Sequence, residues 1–160
     1  MTSDRMTFLF RSTLSWVAPF LRIIPGTVLA VSGYLKAVRP TAEFAATLES
    51  YWIFPSFLVF PMARIMPWVE LGVGLALIAG FLTRTSALVA AGLFATFVVV
   101  LAQSILRKLP MTDCGCFGQV GPHLQPVQSL SMDAVLLAIC LLVFFDTEKK
   151  WAVDQWIERP

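Results

Sequence analysis

Charged residues are scarce in this chain. Asp, Glu, Lys and Arg make up 14% of the 160 residues, whereas hydrophobic residues make up 58%. Soluble domains carry about 25% charged residues. So few charges cannot cover a water-facing surface, and the polar segments are separated by long apolar runs. The composition therefore excludes an ordinary soluble domain and predicts one integral membrane domain.

Histidine is scarcer still, because His123 is the only one in the chain. We find no zinc-finger or zinc-ribbon spacing and no glycine-rich loop for phosphate. A metal site built from Cys114, Cys116 and His123 lacks a fourth ligand and matches no zinc spacing. The net charge of +2 carries no signal for nucleic acid. We therefore predict no metal and no nucleic-acid partner.

The apolar runs predict an all-α integral membrane protein, a bundle of four transmembrane helices in the lipid bilayer. About 20 helical residues cross 30 Å of hydrocarbon. Arg22 and Pro25 interrupt the first run, so we expect a retained span rather than a cleaved signal peptide. The transmembrane domain is predicted at 16–146, with spans at about 16–36, 56–82, 86–106 and 130–145.

The remaining segments are predicted to lie at the membrane surface. We expect residues 1–15 to form an amphipathic lead and residues 147–160 an interfacial tail. Between the first and second spans, Phe44, Leu48 and Tyr51 recur at roughly helical spacing. This pattern predicts an interfacial helix with an aromatic anchor.

Several local features of the spans can be predicted. Gly26, Ala30 and Gly33 should let a neighbouring helix approach the first span closely, and Ala87, Ala90, Ala91 and Gly92 offer a similar face on the third. Pro61 and Pro67 predict a kinked or broken entry to the second span. Thr83-Arg84-Thr85 is predicted to be a tight turn. Ser131 and Asp133 suit a helix N-terminus.

The segment that carries most of the functional argument is the loop 107–129, which contains Cys114-Gly115-Cys116-Phe117-Gly118. Gly115 permits the bend that a disulfide between residues i and i+2 needs. Such a small ring is strained, and strained disulfides exchange readily. We therefore interpret Cys114 and Cys116 as a redox pair, with a purely structural disulfide as the alternative. Cys140 lies mid-span and is interpreted as a small hydrophobic residue.

Glu70 is a carboxylate inside an apolar run, about one turn past Pro67. Lys36 closes the first span, so helix rise puts the two residues at similar depth. Ionisable groups within membrane spans tend to pair and to mark function. The functional hypothesis is that Glu70, paired with Lys36, handles protons during thiol exchange. The alternative is an ion pair that only locks two helices. Arg22 and Arg84 fall at the opposite level and are interpreted as anchors.

An even number of spans puts both termini on one side and the cysteine loop on the other. Basic residues discriminate poorly between the two orientations. Disulfides persist in oxidising compartments. We therefore expect cytoplasmic termini and a periplasmic loop.

Together these motifs resemble the MauE branch of the DoxX-like membrane proteins. The resemblance rests on Gly33-Tyr34-Leu35-Lys36, Pro67-Trp68-Val69-Glu70, Arg84 and, most specifically, Cys114-Gly115-Cys116-Phe117-Gly118. It implies about four transmembrane helices and a role in periplasmic redox maturation with a thioredoxin-like partner. Such proteins are associated with methylamine utilisation, and DoxX-type relatives with quinone-linked oxidation. It carries a redox role to Cys114 and Cys116, and a supporting role to Lys36 and Glu70.

The resulting hypothesis is a thiol–disulfide redox protein, a thiol–disulfide oxidoreductase of the bacterial inner membrane. One cysteine pair cannot carry electrons across about 30 Å of lipid. Either a membrane quinone exchanges electrons with the cysteine pair near the loop, or the partner protein supplies the remaining steps of electron transfer. The alternative is a non-catalytic anchor or assembly subunit of a larger oxidoreductase complex. A small transporter is a weaker third interpretation, because no polar pathway runs through the predicted helices.

Overall fold

The computed structural model describes residues 2–108 and 126–145, with side chains from 20–108 and 127–145. All regular structure in these ranges is helical, which confirms the predicted fold class. Four of the helices are long and apolar enough to cross a membrane, which makes the chain a multi-pass membrane protein. The helices are α1 (Thr2–Ala37), α2 (Thr41–Ser50), α3 (Ser56–Ala79), α4 (Thr83–Leu106) and α5 (Pro126–Phe145).

The first two long helices, α1 and α3, pack antiparallel at very short range. A Cβ built on Gly33 would lie 2.6 Å from the Pro67 carbonyl oxygen and 2.6 Å from the Leu71 nitrogen. A Cβ on Gly74 would lie 2.5 Å from the Ala30 nitrogen. Only small residues permit such backbone contact between membrane helices. The close approach predicted for this face of α1 is therefore confirmed.

The other two long helices, α4 and α5, pack mainly against each other. Ala87, Ala90 and Ala91 are buried in a core that includes Leu136 and Cys140. The predicted small-residue face of α4 is thus confirmed for the three alanines. Gly92 is not part of it, because a Cβ there would meet nothing within 4 Å.

The bundle has two distinct ends. The C-terminus of α1, the helix α2 and the start of α3 lie together at the end we call the Lys36 end. Since the long helices alternate in direction, α4 finishes and α5 begins at this end too. At the opposite end, which we call the Arg84 end, the Arg84 guanidinium lies 5.0 Å from the centroid of the Phe144 ring. The start of α1 and the finish of α5 are at the Arg84 end.

The short helix α2 forms where the interfacial helix was predicted. Ala45 and Leu48 bury their side chains against Val59 and Ala63 of α3. Tyr51 is buried directly after the helix, whereas Trp52 is exposed. This helix therefore packs over the Lys36 end of the bundle through its apolar face.

One of two predicted interruptions is shifted along the chain, and the other does not take its broken form. The helix α3 runs unbroken through Pro61 and Pro67, so its entry is not broken. Membrane helices tolerate internal proline because neighbouring groups satisfy the freed backbone carbonyls. The turn between α3 and α4 lies at 80–82 rather than at 83–85. Gly80, with φ of 70°, ends α3 because glycine adopts this left-handed conformation without strain.

Two helices begin before the membrane spans that were predicted within them. The helix α5 begins at Pro126, since proline is favoured in the first turn of a helix. Asp133 is consequently two turns inside α5 rather than at its N-terminus. At the other end of the chain, α1 begins at Thr2, so residues 2–15 belong to the same helix as the first span. The interfacial tail predicted at 147–160 lies outside the described residues.

Candidate functional site

A buried ion pair joins α1 to α3 at the Lys36 end. Glu70 is 0% exposed and Lys36 is 5% exposed. The Lys36 Nζ donates to both carboxylate oxygens of Glu70, at 2.7 Å to Oε1 and 2.9 Å to Oε2. The Ser32 Oγ donates to Oε2 at 2.9 Å. The pairing of Lys36 with Glu70 predicted from helix rise is therefore present.

Local sequence explains why these three side chains meet. Ser32 and Lys36 are four residues apart, so they lie on the same face of α1. Gly33 lies between them and lets α3 approach until the Glu70 Cβ would be 3.0 Å from a Cβ at position 33. The carboxylate is thus held against α1 by backbone contact on one side and by two donors on the other.

Two aromatic rings flank the ammonium group. The Lys36 Nζ lies 5.0 Å from the centroid of the Phe44 ring on α2 and 5.1 Å from that of Phe97 on α4. Both distances are within the range of cation–π attraction. Side chains from α1, α2, α3 and α4 therefore converge on one charged group.

The positive charge of Lys36 and the negative charge of Glu70 compensate each other within the bundle. Burying a single unpaired charge costs roughly several kcal/mol, and a partner of opposite charge with well-formed hydrogen bonds offsets much of that cost. The pair is neutral overall, so neither of its charges is left uncompensated in the interior of the bundle. Within the described ranges no group of three His, Cys, Asp or Glu residues could hold a metal ion.

The comparisons with known proteins point to one family. A family model described as methylamine utilisation protein MauE matches residues 14–146. The chain belongs to the MauE family. The MauE of Methylophilus methylotrophus is 38% identical over 100 residues, covering 62% of this chain and 52% of the relative. The MauE of Paracoccus denitrificans is 30% identical over 136 residues, covering 82% of this chain and 71% of the relative.

The match to these MauE proteins is partial in length. A third MauE, from Methylorubrum extorquens, is 30% identical over 90 residues, covering 56% of this chain and 48% of the relative. The chain thus spans about half the length of the first and third of these relatives. No solved structure matches the chain.

The cysteine pair of this MauE chain falls within the family match, at 14–146. Cys114 and Cys116 lie outside the described residues, as does His123. In the sequence all three residues belong to the link between α4 and α5. The last residue of α4 and the first residue of α5 both lie at the Lys36 end. Phe97 beside Lys36 is nine residues before Leu106, so helix rise puts the ion pair about 14 Å below the end of α4.

Two other residues of this MauE chain fall where sequence reasoning placed them. Cys140 is buried in the α4–α5 core, as expected of a small hydrophobic residue. Arg84 is exposed at the opposite end from Lys36, as expected of an anchor. Arg22 differs, because it is only 7% exposed. Its side chain is buried within the bundle, which does not fit the interpretation of Arg22 as an anchor at the membrane surface.

Sequence reasoning missed two polar participants in this MauE chain. Ser32 was not recognised as a partner of Glu70, although its spacing of four residues from Lys36 could have indicated it. Asp133 was interpreted as a helix-terminal residue, yet it is 2% exposed within α5. The available signal was the position of Asp133 inside the candidate span Val127–Phe145, since a carboxylate inside a span is expensive and tends to be functional.

Proposed function

We propose that this chain is an accessory membrane protein that supports thiol–disulfide exchange in proteins on the far side of the bacterial inner membrane. The observation that supports the proposal most strongly is that the ion pair and the attachment points of the cysteine link lie at the same end of the bundle. The buried Lys36–Glu70 pair and both helix ends that bracket Cys114 and Cys116 lie at the Lys36 end. The termini would face the cytoplasm and the cysteine link the periplasm, where disulfides persist.

The proposed reaction is a balanced exchange of two electrons and two protons. A thiolate from the Cys114–Cys116 dithiol attacks a disulfide of a thioredoxin-like partner and forms a mixed disulfide. The second cysteine then displaces the partner, so that the Cys114–Cys116 disulfide forms and the partner leaves as a dithiol. The reverse exchange uses the same steps.

Lys36 and Glu70 are assigned a supporting role in this exchange. Thiolates, not thiols, are the attacking species, so each exchange has protons to place. Transfer of a proton from the Lys36 ammonium to the Glu70 carboxylate leaves both groups neutral, so the pair can take part in proton movement without leaving an uncompensated buried charge. This role requires the cysteine link to come within reach of the pair from the end of α4.

The names of the relatives suggest the biological setting. All three are named methylamine utilization protein MauE. We propose that this chain serves a methylamine utilisation system in the same accessory capacity. The client would be a secreted, disulfide-containing protein of that system.

A second candidate function is a non-catalytic anchor or assembly subunit of a larger oxidoreductase complex. The ion pair also favours this alternative, because a fully buried pair completed by Ser32 can serve simply to lock α1 against α3. The cysteine pair would then shape a docking surface.

The two functions are separated by replacing the cysteines. C114S/C116S is compared with C140S, a matched control in which a buried, non-vicinal cysteine is changed. If exchange is the function, the double variant accumulates in the membrane at the normal level while its client fails to acquire its normal set of disulfides. A client that acquires its disulfides normally in C114S/C116S would sink the exchange proposal. The C140S variant should behave like the wild type.

A further inference from the structure

Arg64 is a charged residue on the outer surface of α3. It lies within the candidate span Ser56–Ala79, and its side chain is exposed. Among the residues that the structure describes, none forms a hydrogen bond or an ion pair with the Arg64 guanidinium. The other basic side chains of residues 20–106 all interact within the chain, namely Arg22, Lys36, Arg39 and Arg84. The counter-charge of Arg64 therefore has to come from outside the chain.

The position of α2 brings Arg64 close to the head groups of the bilayer. The apolar face of α2 packs against Val59 and Ala63, in the first turns of α3. The same short helix carries Glu43 and Glu49, which are exposed. Carboxylates on the outside of a membrane protein stay out of hydrocarbon. The head groups therefore lie beside the first turns of α3, and Arg64 comes directly after them.

Arg64 begins a row of exposed positions along α3. Trp68 and Gly72 follow at intervals of four residues, so the three lie on one side of the helix, about 6 Å apart at each step. Trp68 is 64% exposed. Gly72 is also exposed, and a Cβ built there would meet nothing within 4 Å. We call these three positions the Arg64 row. From the Lys36 end inward it offers a cation, an amphipathic aromatic ring and open apolar surface.

A phospholipid carries matching groups in the same order, namely a phosphate, glycerol esters and acyl chains. The Arg64 guanidinium presents a planar fork of N–H donors, which matches two oxygens of one phosphate. The Trp68 indole has an apolar body and an N–H donor, the combination that is enriched at the level of lipid head groups. The missing side chain at Gly72 leaves space for an acyl chain against the helix.

We propose that the Arg64 row binds one phospholipid with an anionic head group, in the leaflet at the Lys36 end. The phosphate accepts hydrogen bonds from Arg64, and an acyl chain lies over Gly72. A zwitterionic lipid would bring its own cation near the guanidinium, so a head group of net negative charge fits better. The row lies on the outer surface of α3, whereas Glu70 faces α1. Lipid binding is therefore separate from the thiol exchange proposed for Cys114 and Cys116.

The test uses the full chain in nanodiscs that contain phosphatidylcholine and phosphatidylglycerol with the same acyl chains. Lipids that stay bound when the protein is released are counted by native mass spectrometry. Wild type should retain phosphatidylglycerol at least about fivefold above its share of the bilayer, in line with the attraction between one basic group and an anionic membrane surface. Retention in simple proportion to the bilayer composition would overturn the proposal.

The contribution of the cation is tested by R64Q, which keeps a polar side chain at the site. This variant should retain phosphatidylglycerol at less than about twofold above its share of the bilayer. K108Q is the matched control, because Lys108 is also exposed at the Lys36 end but lies outside the row. It should keep the enrichment of wild type. Equal losses in the two variants would indicate general attraction between charges and would contradict a site at Arg64.

The contribution of the apolar part is tested by G72L, which fills the open space next to Trp68. It should lower the enrichment by about threefold or more. G92L makes the same change at an exposed glycine of α4, where a Cβ also meets nothing within 4 Å, and should leave the enrichment unchanged. If G72L does not fold, W68L replaces it, with the same expected loss.

Unchanged enrichment in the folded variant of the row would exclude this surface as the lipid site. An R64Q variant that keeps its phosphatidylglycerol but loses a co-purifying acidic protein would assign Arg64 to a protein contact and overturn the lipid proposal.

Discussion

The Lys36 Nζ lies 2.7 Å from the Glu70 Oε1, and this contact between α1 and α3 is almost fully buried, with the two side chains 2% and 0% exposed. A second ion pair, between Arg39 and Glu43, has an N–O distance of 3.2 Å but is largely exposed. The chain therefore contains a buried pair and an exposed pair at the same end of the bundle. Comparing the stability lost when each pair is broken separates the contribution of burial from the contribution of charge.

The first prediction concerns the buried pair. E70Q is expected to lower the free energy of unfolding by about 3 kcal/mol, because it leaves the Lys36 ammonium buried without its counter-charge. K36M/E70M should be more stable than E70Q, since no uncompensated charge remains. Unfolding is followed by helical circular dichroism in mixed micelles. E43Q is the control and should change stability by less than about 1 kcal/mol. Equal losses in E70Q and E43Q would contradict the structural importance of burial.

The second prediction concerns helix contact. G33A is expected to destabilise the bundle markedly, because its Cβ would lie 2.6 Å from backbone atoms of α3. Neither the Pro67 carbonyl nor the Leu71 nitrogen can move without displacing the helix. G72A and G92A are matched controls, since a Cβ at either site meets nothing within 4 Å. They should be neutral or stabilising by up to about 1 kcal/mol, because alanine favours helix over glycine. The melting temperatures of the three variants in detergent provide the measurement.

The third prediction concerns the orientation of the cysteine link. Spheroplasts are treated with a membrane-impermeant thiol reagent before and after mild reduction. Cys114 and Cys116 should react only after reduction, while the buried Cys140 should react only after denaturation. Labelling that is lost in C114S/C116S comes from the cysteine link, and labelling that is lost in C140S comes from Cys140. Labelling of the link only after the membrane is broken would place it in the cytoplasm and remove the basis of the periplasmic exchange proposal.

The fourth prediction concerns Asp133, which is buried within α5. D133L is expected to lower the free energy of unfolding by about 1 to 3 kcal/mol, because the group that interacts with the carboxylate would be left unsatisfied. D133N keeps a polar side chain of similar size and should lose less. S131A is the control on the same helix, since the Ser131 hydroxyl is exposed and donates only to the Gln128 carbonyl. A D133L variant as stable as S131A would show that the carboxylate has no structural role.

The sequence by itself determined the four spans, the short helix between the first two, and the shared level of Lys36 and Glu70 along the bundle. Long apolar runs and a fixed rise of 1.5 Å per residue are sufficient for those inferences. Composition also indicated the close contact at Gly33, because small residues in a span permit backbone approach. The resemblance to the MauE family likewise rested on short motifs visible in the chain.

Only the tertiary structure decided which groups surround the buried charge. Ser32, Phe44 and Phe97 come from three different helices, and no periodicity within one helix specifies the rotation of another. The same reason explains the errors at Arg22 and Asp133, whose burial depends on which helix face meets a neighbour. Helix rise fixes the depth of a residue in the bilayer, whereas packing between helices fixes the direction in which its side chain points. The pairing of Lys36 with Glu70 was therefore predictable, but its aromatic flank was not.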